Sequence, residues 1–160
     1  GKSFALMFLD LDRFKQVNDV RGHGVGDELL KSVAQRLAGC VRKSDTVARI
    51  GGDEFVVVLS EIAAPKDAAL VGGKILDELS RPYFIAGNEF TISCSIGISI
   101  YPVDGMDVNT LMANADTAMY QAKRDGRNGY LFFANAKNTV APPIGITERA
   151  EAPVTAESVG

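Results

Sequence analysis

The hydrophobic and polar positions alternate between two periods along this chain. Residues 4–9 are an unbroken apolar run that stops at Asp10, the pattern of a strand buried on both faces. Phe14, Val17 and Val20 follow at helical spacing, and Gly22, Gly24 and Gly26 punctuate a loop. Asp27 caps or begins the next helix, whose apolar face is Leu29, Leu30, Val33, Ala34 and Leu37. Residues 46–50 and 55–59 are two short β-rich runs. Between them lies Gly51-Gly52-Asp53-Glu54, whose glycine pair suits a tight hairpin. Residues 68–79 read as a helix flanked by Pro65 and Pro82, and residues 90–100 as one long alternating strand. Residues 111–122 read as a helix with Leu111, Ala115, Ala118, Met119 and Ala122 on one side, and residues 129–133 as a last strand. From Ala141 onward, Pro142, Pro143 and Pro153 lie among Thr, Glu, Ala and Ser with no periodic apolar face. The pattern predicts one mixed α/β (α+β) domain over residues 1–140, with a central hairpin, and a flexible tail or linker over residues 141–160.

Composition narrows the class. A hydrophobic share of 46% in 160 residues is enough for a real core. The formal net charge of −3 carries no footprint for a nucleic-acid polymer, but a few well-placed cations suffice for a triphosphate. Cys40 and Cys94 fall in segments that read as buried helix and buried strand, without CxxC or Cys/His zinc spacing, which fits free thiols in a reducing cytosol. No apolar run approaches the roughly 20 residues of a membrane span, so no membrane contact is expected from this segment. No secretory leader pattern opens the chain. Gly1-Lys2-Ser3 leads directly into the first strand, which reads as a fragment of something longer.

Chemistry is expected where acids interrupt apolar strands. Asp10 and Asp12 end the first strand, and Asp53 and Glu54 cap the hairpin. A strand-end carboxylate beside a hairpin carboxylate suits a hard cation such as Mg²⁺. The plainer reading is that acids mark solvated turns. Residues 11–14 span a strand-to-helix turn, where free backbone N–H groups, Phe14's included, can cradle phosphate. Taken alone, Asn18 reads as a turn residue, Asp27 as a helix cap, and His23, the one histidine, as structural. Lys123 and Arg127 read equally well as cations favoured at a helix end. Arg42 and Asp45 read as a local ion pair in a solvated loop.

The ordered set of motifs resembles one family. Arg49-Ile50-Gly51-Gly52-Asp53-Glu54-Phe55 matches the signature that names GGDEF domains. Around it stand Asp10-Leu11-Asp12-Arg13-Phe14-Lys15, Val17-Asn18-Asp19, Gly22-His23 and Gly26-Asp27. Farther on come Ser95-Ile96-Gly97-Ile98-Ser99, Ala115-Asp116, and Met119-Tyr120-Gln121-Ala122-Lys123 with Gly126-Arg127-Asn128. The resemblance runs from Phe4 to Phe133. It implies a palm-like nucleotide-cyclase fold, a central mixed or antiparallel sheet flanked by helices with the signature on a β-hairpin. It implies a diguanylate cyclase, a bacterial signalling nucleotidyltransferase that condenses two GTP into cyclic di-GMP and two pyrophosphates. By that resemblance Asp10, Asp53 and the Leu11 carbonyl bind two Mg²⁺ or Mn²⁺ ions per half-site, and Asp53 and Glu54 are catalytic. Asn18 and Asp27 would read guanine. Gly51 and Gly52 would let the backbone approach the nucleotide. Lys123 and Arg127 would hold phosphates, Phe14 and His23 would adjoin substrate, and Arg42 with Asp45 would form a product-inhibition site. Lys15 is a weaker candidate for phosphate.

The family's usual upstream segment, Asp-x-Leu-Thr-Gly-Leu-x-Asn-Arg, is not among the residues before the first strand, and none of the 160 residues reads as a sensory module. The resemblance implies a homodimer in which each partner holds one GTP, within the cytoplasm or as the cytoplasmic part of a larger, membrane-anchored protein. Tyr120-Gln121-Ala122-Lys123-Arg124 and Asn128-Gly129-Tyr130 resemble domains that precede a phosphodiesterase. The alternative is thus a catalytically silent GTP-binding regulatory domain or cyclic di-GMP receptor. A cyclase for another nucleotide is disfavoured by Asn18 and Asp27.

Overall fold

A computed structural model describes residues 2–136. In chain order the elements are β1 (Ser3–Leu11), α1 (Phe14–Arg21), α2 (His23–Cys40), β2 (Thr46–Gly51), β3 (Glu54–Ile62) and α3 (Pro65–Leu79). There follow β4 (Tyr83–Ile85), β5 (Asn88–Phe90), β6 (Cys94–Tyr101), α4 (Val108–Arg124), β7 (Gly129–Phe132) and α5 (Phe133–Ala136). Five strands form one sheet in the order β2-β3-β1-β6-β7, while β4 and β5 make a separate two-stranded ribbon. All neighbours in the large sheet are antiparallel except β6 and β7.

The unbroken apolar run of β1 follows from its central place. Successive side chains point to opposite faces, and here both faces are covered. Ala5, Met7, Leu9 and Leu11 enter the larger core with Leu29, Val33 and Leu37 of α2 and Ile75 and Leu79 of α3. Leu6 and Phe8 point the other way, onto Leu111, Ala115 and Met119 of α4. Asp10 continues that second row, so the fold carries an acid onto the α4 side.

Gly97 decides how closely α4 approaches. A Cβ there would overlap the Ala115 carbonyl oxygen and the Met119 backbone. The Ser99 hydroxyl, two residues on, donates to the Leu111 carbonyl at 2.8 Å. Cys40 and Cys94 are free and buried, and burial is the main cause holding both thiols above their ordinary range.

The structure corrects two sequence expectations and adds one element. Gly24 and Gly26 do not lie in a loop, since α2 starts at His23 and contains both. The expected strand over residues 90–100 is broken: β5 ends at Phe90 and β6 starts at Cys94. The β4–β5 ribbon was not anticipated, and it turns at Ala86 (φ 53°) and Gly87 (φ 79°), the two positive φ values of a type I′ turn. Residues 141–160, read as a tail, lie outside the described residues, as does the domain boundary at residue 140. Among the described residues no helix is long and apolar enough to cross a membrane.

Candidate functional site

β1 delivers Asp10 to the α4 face with Glu54 of β3 and Ser95 of β6 as its cross-strand partners. Partners in register share a face, so the acid of β1 and the last acid of the signature are neighbours. The Asp10 side chain is 1% exposed, and a buried carboxylate demands compensation. Lys123, in the last turn of α4, supplies it with Nζ at 3.1 Å. Asp116 lies on the same helix, seven residues earlier. Burial, and then the charge of Asp10, pushes its pKa up to about 7 against the opposing pull of Lys123. Two acids thus crowd one cation.

The hairpin turn closes over this end of β1. Gly52 adopts φ 48°, which favours glycine. The Arg49 side chain donates from Nε to the Gly52 carbonyl at 2.9 Å, and the Leu11 N–H donates to the Asp53 carbonyl at 3.1 Å. Arg49 therefore shapes the turn, a role its place in the signature did not disclose. Space beyond both Gly51 and Gly52 is open, with nothing within 4 Å of a Cβ built at either.

The phosphate cradle expected over residues 11–14 is narrower than the sequence suggested. Besides the Leu11 donor, the Asp12 N–H is spent on the Ser93 carbonyl at 2.9 Å. Arg13 and Phe14 remain, at the start of α1, where a helix leaves its first N–H groups without internal acceptors. The Phe14 ring is 5% exposed and belongs to the core, so any ligand contact there is confined to its backbone. Asp12 is likewise no solvated turn acid. It is 2% exposed and accepts from the Ser93 hydroxyl at 2.6 Å, the Ser95 hydroxyl at 2.7 Å and the Asn128 N–H at 3.1 Å.

Asn18 of α1 faces Gly26 of α2, the residue before Asp27. A Cβ at Gly26 would overlap the Asn18 side-chain oxygen, so the missing side chain lets α2 pack against Asn18 next to Asp27. That oxygen, Oδ1, is buried without a hydrogen-bond partner. Asp27 and His23 are exposed. Arg127 sits just beyond α4 with φ 63°, its N–H bonded to the Ala122 carbonyl at 3.1 Å. Its Nε is also buried without a partner. Unsatisfied buried groups of this kind are rare and costly, and a polar ligand would relieve both.

Among the described residues no three His, Cys, Asp or Glu side chains converge enough to hold a metal by themselves. What is present is a buried Asp10, the Asp53 turn bonded to its strand, and the crowded acid Asp116. That donor set fits a hard cation completed by phosphate oxygens better than one caged by protein alone.

Arg42 and Asp45 stand apart on the α2–β2 connection. Arg42 donates to the Glu61 carbonyl at 2.9 Å and lies 3.4 Å from Asp45. Burial disfavours the Asp45 anion, but the N–H groups of Arg42 and Ser60 and the Arg42 guanidinium outweigh it and lower its pKa.

The sheet, its flanking helices and the glycine hairpin beside a buried acid define a palm-like α/β domain. The family model described as "Diguanylate cyclase, GGDEF domain" matches residues 1–129, and the chain belongs to the GGDEF family. It is 51% identical over 140 residues to the bifunctional diguanylate cyclase/cyclic di-GMP phosphodiesterase MucR of Pseudomonas aeruginosa, covering 88% of this chain and 20% of MucR. It is 41% identical over 134 residues to the cyclic di-GMP phosphodiesterase NbdA of the same organism, covering 84% of this chain and 17% of NbdA. The chain therefore spans a fifth or less of the length of these relatives. The solved GGDEF domain of TpbB from Pseudomonas aeruginosa matches with a TM-score of 0.82 at 38% identity, covering 86% of this chain and 81% of that one.

Proposed function

We propose that this domain is a diguanylate cyclase, joining two GTP molecules into cyclic di-GMP across a pair of domains. The observation that carries this reading is the buried Asp10–Lys123 pair at 3.1 Å beside the Gly51-Gly52-Asp53-Glu54 hairpin. Asp10, Asp53 and the Leu11 carbonyl would hold Mg²⁺ or Mn²⁺, two ions per half-site, which supplies Lewis-acid activation of the 3′-hydroxyl and offsets phosphate charge. Lys123 and Arg127 would bind the triphosphate, aided by N–H groups of Arg13 and Phe14. Asp27 would accept from guanine N1–H and N2–H₂ while Asn18 pairs at the base edge, which adenine cannot satisfy. Glu54 would lie next to Asp53 at the reacting end, and His23 borders the base corner. Arg42 and Asp45 would take product, whose guanine or phosphate must compete with the Glu61 carbonyl for the guanidinium.

Asp53→Ala tests the assignment. Cyclic di-GMP formation should fall below detection by chromatography while circular dichroism is unchanged. Near-normal product from that variant would remove Asp53 from the chemistry. The name of NbdA, a phosphodiesterase only, favours a second reading, a GTP-binding regulatory domain attached to a phosphodiesterase. Saturable GTP binding without any product would support it.

A further inference from the structure

The turn after α4 is strained, and something holds it. Gly126, Arg127 and Asn128 have φ of 126°, 63° and 48° in succession. Two of these are side-chain-bearing residues in the left-handed region, a state that persists only where the surroundings over-determine it. Two contacts do so. The Arg127 N–H is tied back to Ala122, and the Asn128 N–H donates to Asp12 Oδ2 at 3.1 Å.

Asp12 is fixed in turn. Its Oδ2 also accepts from the Ser93 hydroxyl at 2.6 Å, its Oδ1 accepts from Ser95 at 2.7 Å, and its own N–H holds the Ser93 carbonyl at 2.9 Å. The residue is 2% exposed, and both carboxylate oxygens are already taken by protein donors. It joins three pieces that are distant in sequence: the end of β1, the entry to β6, and the turn bearing Arg127. We propose that Asp12 is a positioning residue, whose buried carboxylate locks the Arg127–Asn128 turn and so sets where the Arg127 guanidinium meets the triphosphate. This inference rests on the cyclase reading only for the identity of that ligand.

The shape of Asp12→Asn is compatible with the same bonds. Its oxygen can stay at the Oδ2 position, accepting from Ser93 and Asn128, while its amide donates to a reoriented Ser95. Asp12→Ala takes the acceptor from all three donors, of which the Ser95 hydroxyl is fully buried.

The test is GTP binding by calorimetry, with Mg²⁺, for the unsubstituted chain, Asp12→Ala, Arg127→Ala and the double variant. Asp12→Ala should weaken GTP binding by about tenfold or more. Asp12→Asn should restore most of it. The loss should vanish in the Arg127→Ala background, because a residue that acts through another adds nothing once that other is gone. If Asp12→Ala does not fold, Ser93→Ala serves, with a loss of about two- to fivefold that likewise vanishes without Arg127. Unchanged affinity, or equal losses in both backgrounds, would overturn the inference while leaving the cyclase reading intact. Absence of GTP binding by the unsubstituted chain would overturn that reading, and this inference with it.

Discussion

Asp116 and Gly26 show how single positions tune the site. Asp116 has its pKa raised to about 7 by burial and by Asp10. The folded state therefore holds a proton that the unfolded chain releases near its ordinary value of 3.8. A raised acid stabilises the fold fully below the unfolded pKa, and that contribution is lost as pH rises through the folded one. At about 1.4 kcal/mol per pH unit between those values, the ceiling is roughly 4 kcal/mol. In metal-free buffer, Asp116→Asn should match the unsubstituted chain near pH 4 and exceed its stability at pH 8, as read by denaturant unfolding. A constant difference across that range would show that Asp116 does not titrate between folded and unfolded states. Gly26→Ala separates shape from stability. Alanine is worth about 1 kcal/mol more than glycine inside a helix, yet its Cβ must push the Asn18 side chain away. The expected outcome is a fold at least nearly as stable, with GTP no longer strongly preferred over ATP in competition binding. Asn18 and Asp27 were both legible as candidates. That Gly26 joins them was not, because three spaced glycines read as a loop until one sees which side chain fills the vacant Cβ.

At the level of elements, the strands with two buried faces and the helices with one apolar stripe were legible because period and burial agree. β1, α3 and α4 follow their apolar patterns to within a few residues. The failures have local causes. The alternation over residues 90–100 continues through Thr91, Ile92 and Ser93, but Ser93 turns its hydroxyl and carbonyl to Asp12. The β4–β5 ribbon was hidden because its turn uses Ala86-Gly87, with alanine where asparagine or aspartate is usual. Of the packing contacts, α4 on β6 governs the site most directly. Gly97→Ala should force α4 outward and cost about 1–3 kcal/mol in denaturant unfolding. It should also weaken GTP binding by carrying Lys123 away from Asp10. Full retention of both would mean that α4 is not held by that contact.

For the whole molecule, the sheet brings residues far apart in sequence to one end. Asp10, the hairpin, Lys123 and the Arg127 turn meet there, while Arg42 and Asp45 form a separate feature. The order of motifs made the family legible, but not how Asp12 is held. Asp10 faces a lysine and the hairpin, whereas Asp12 is enclosed by hydroxyls and a backbone N–H. The proposed reaction needs two such ends facing each other, each with its own GTP. The most direct test is to incubate the chain with GTP and Mg²⁺ over a range of protein concentrations and separate the nucleotides by chromatography. Cyclic di-GMP should form at an initial rate that rises more steeply than linearly with protein. A chain that binds GTP yet forms no cyclic di-GMP at any concentration would contradict the account.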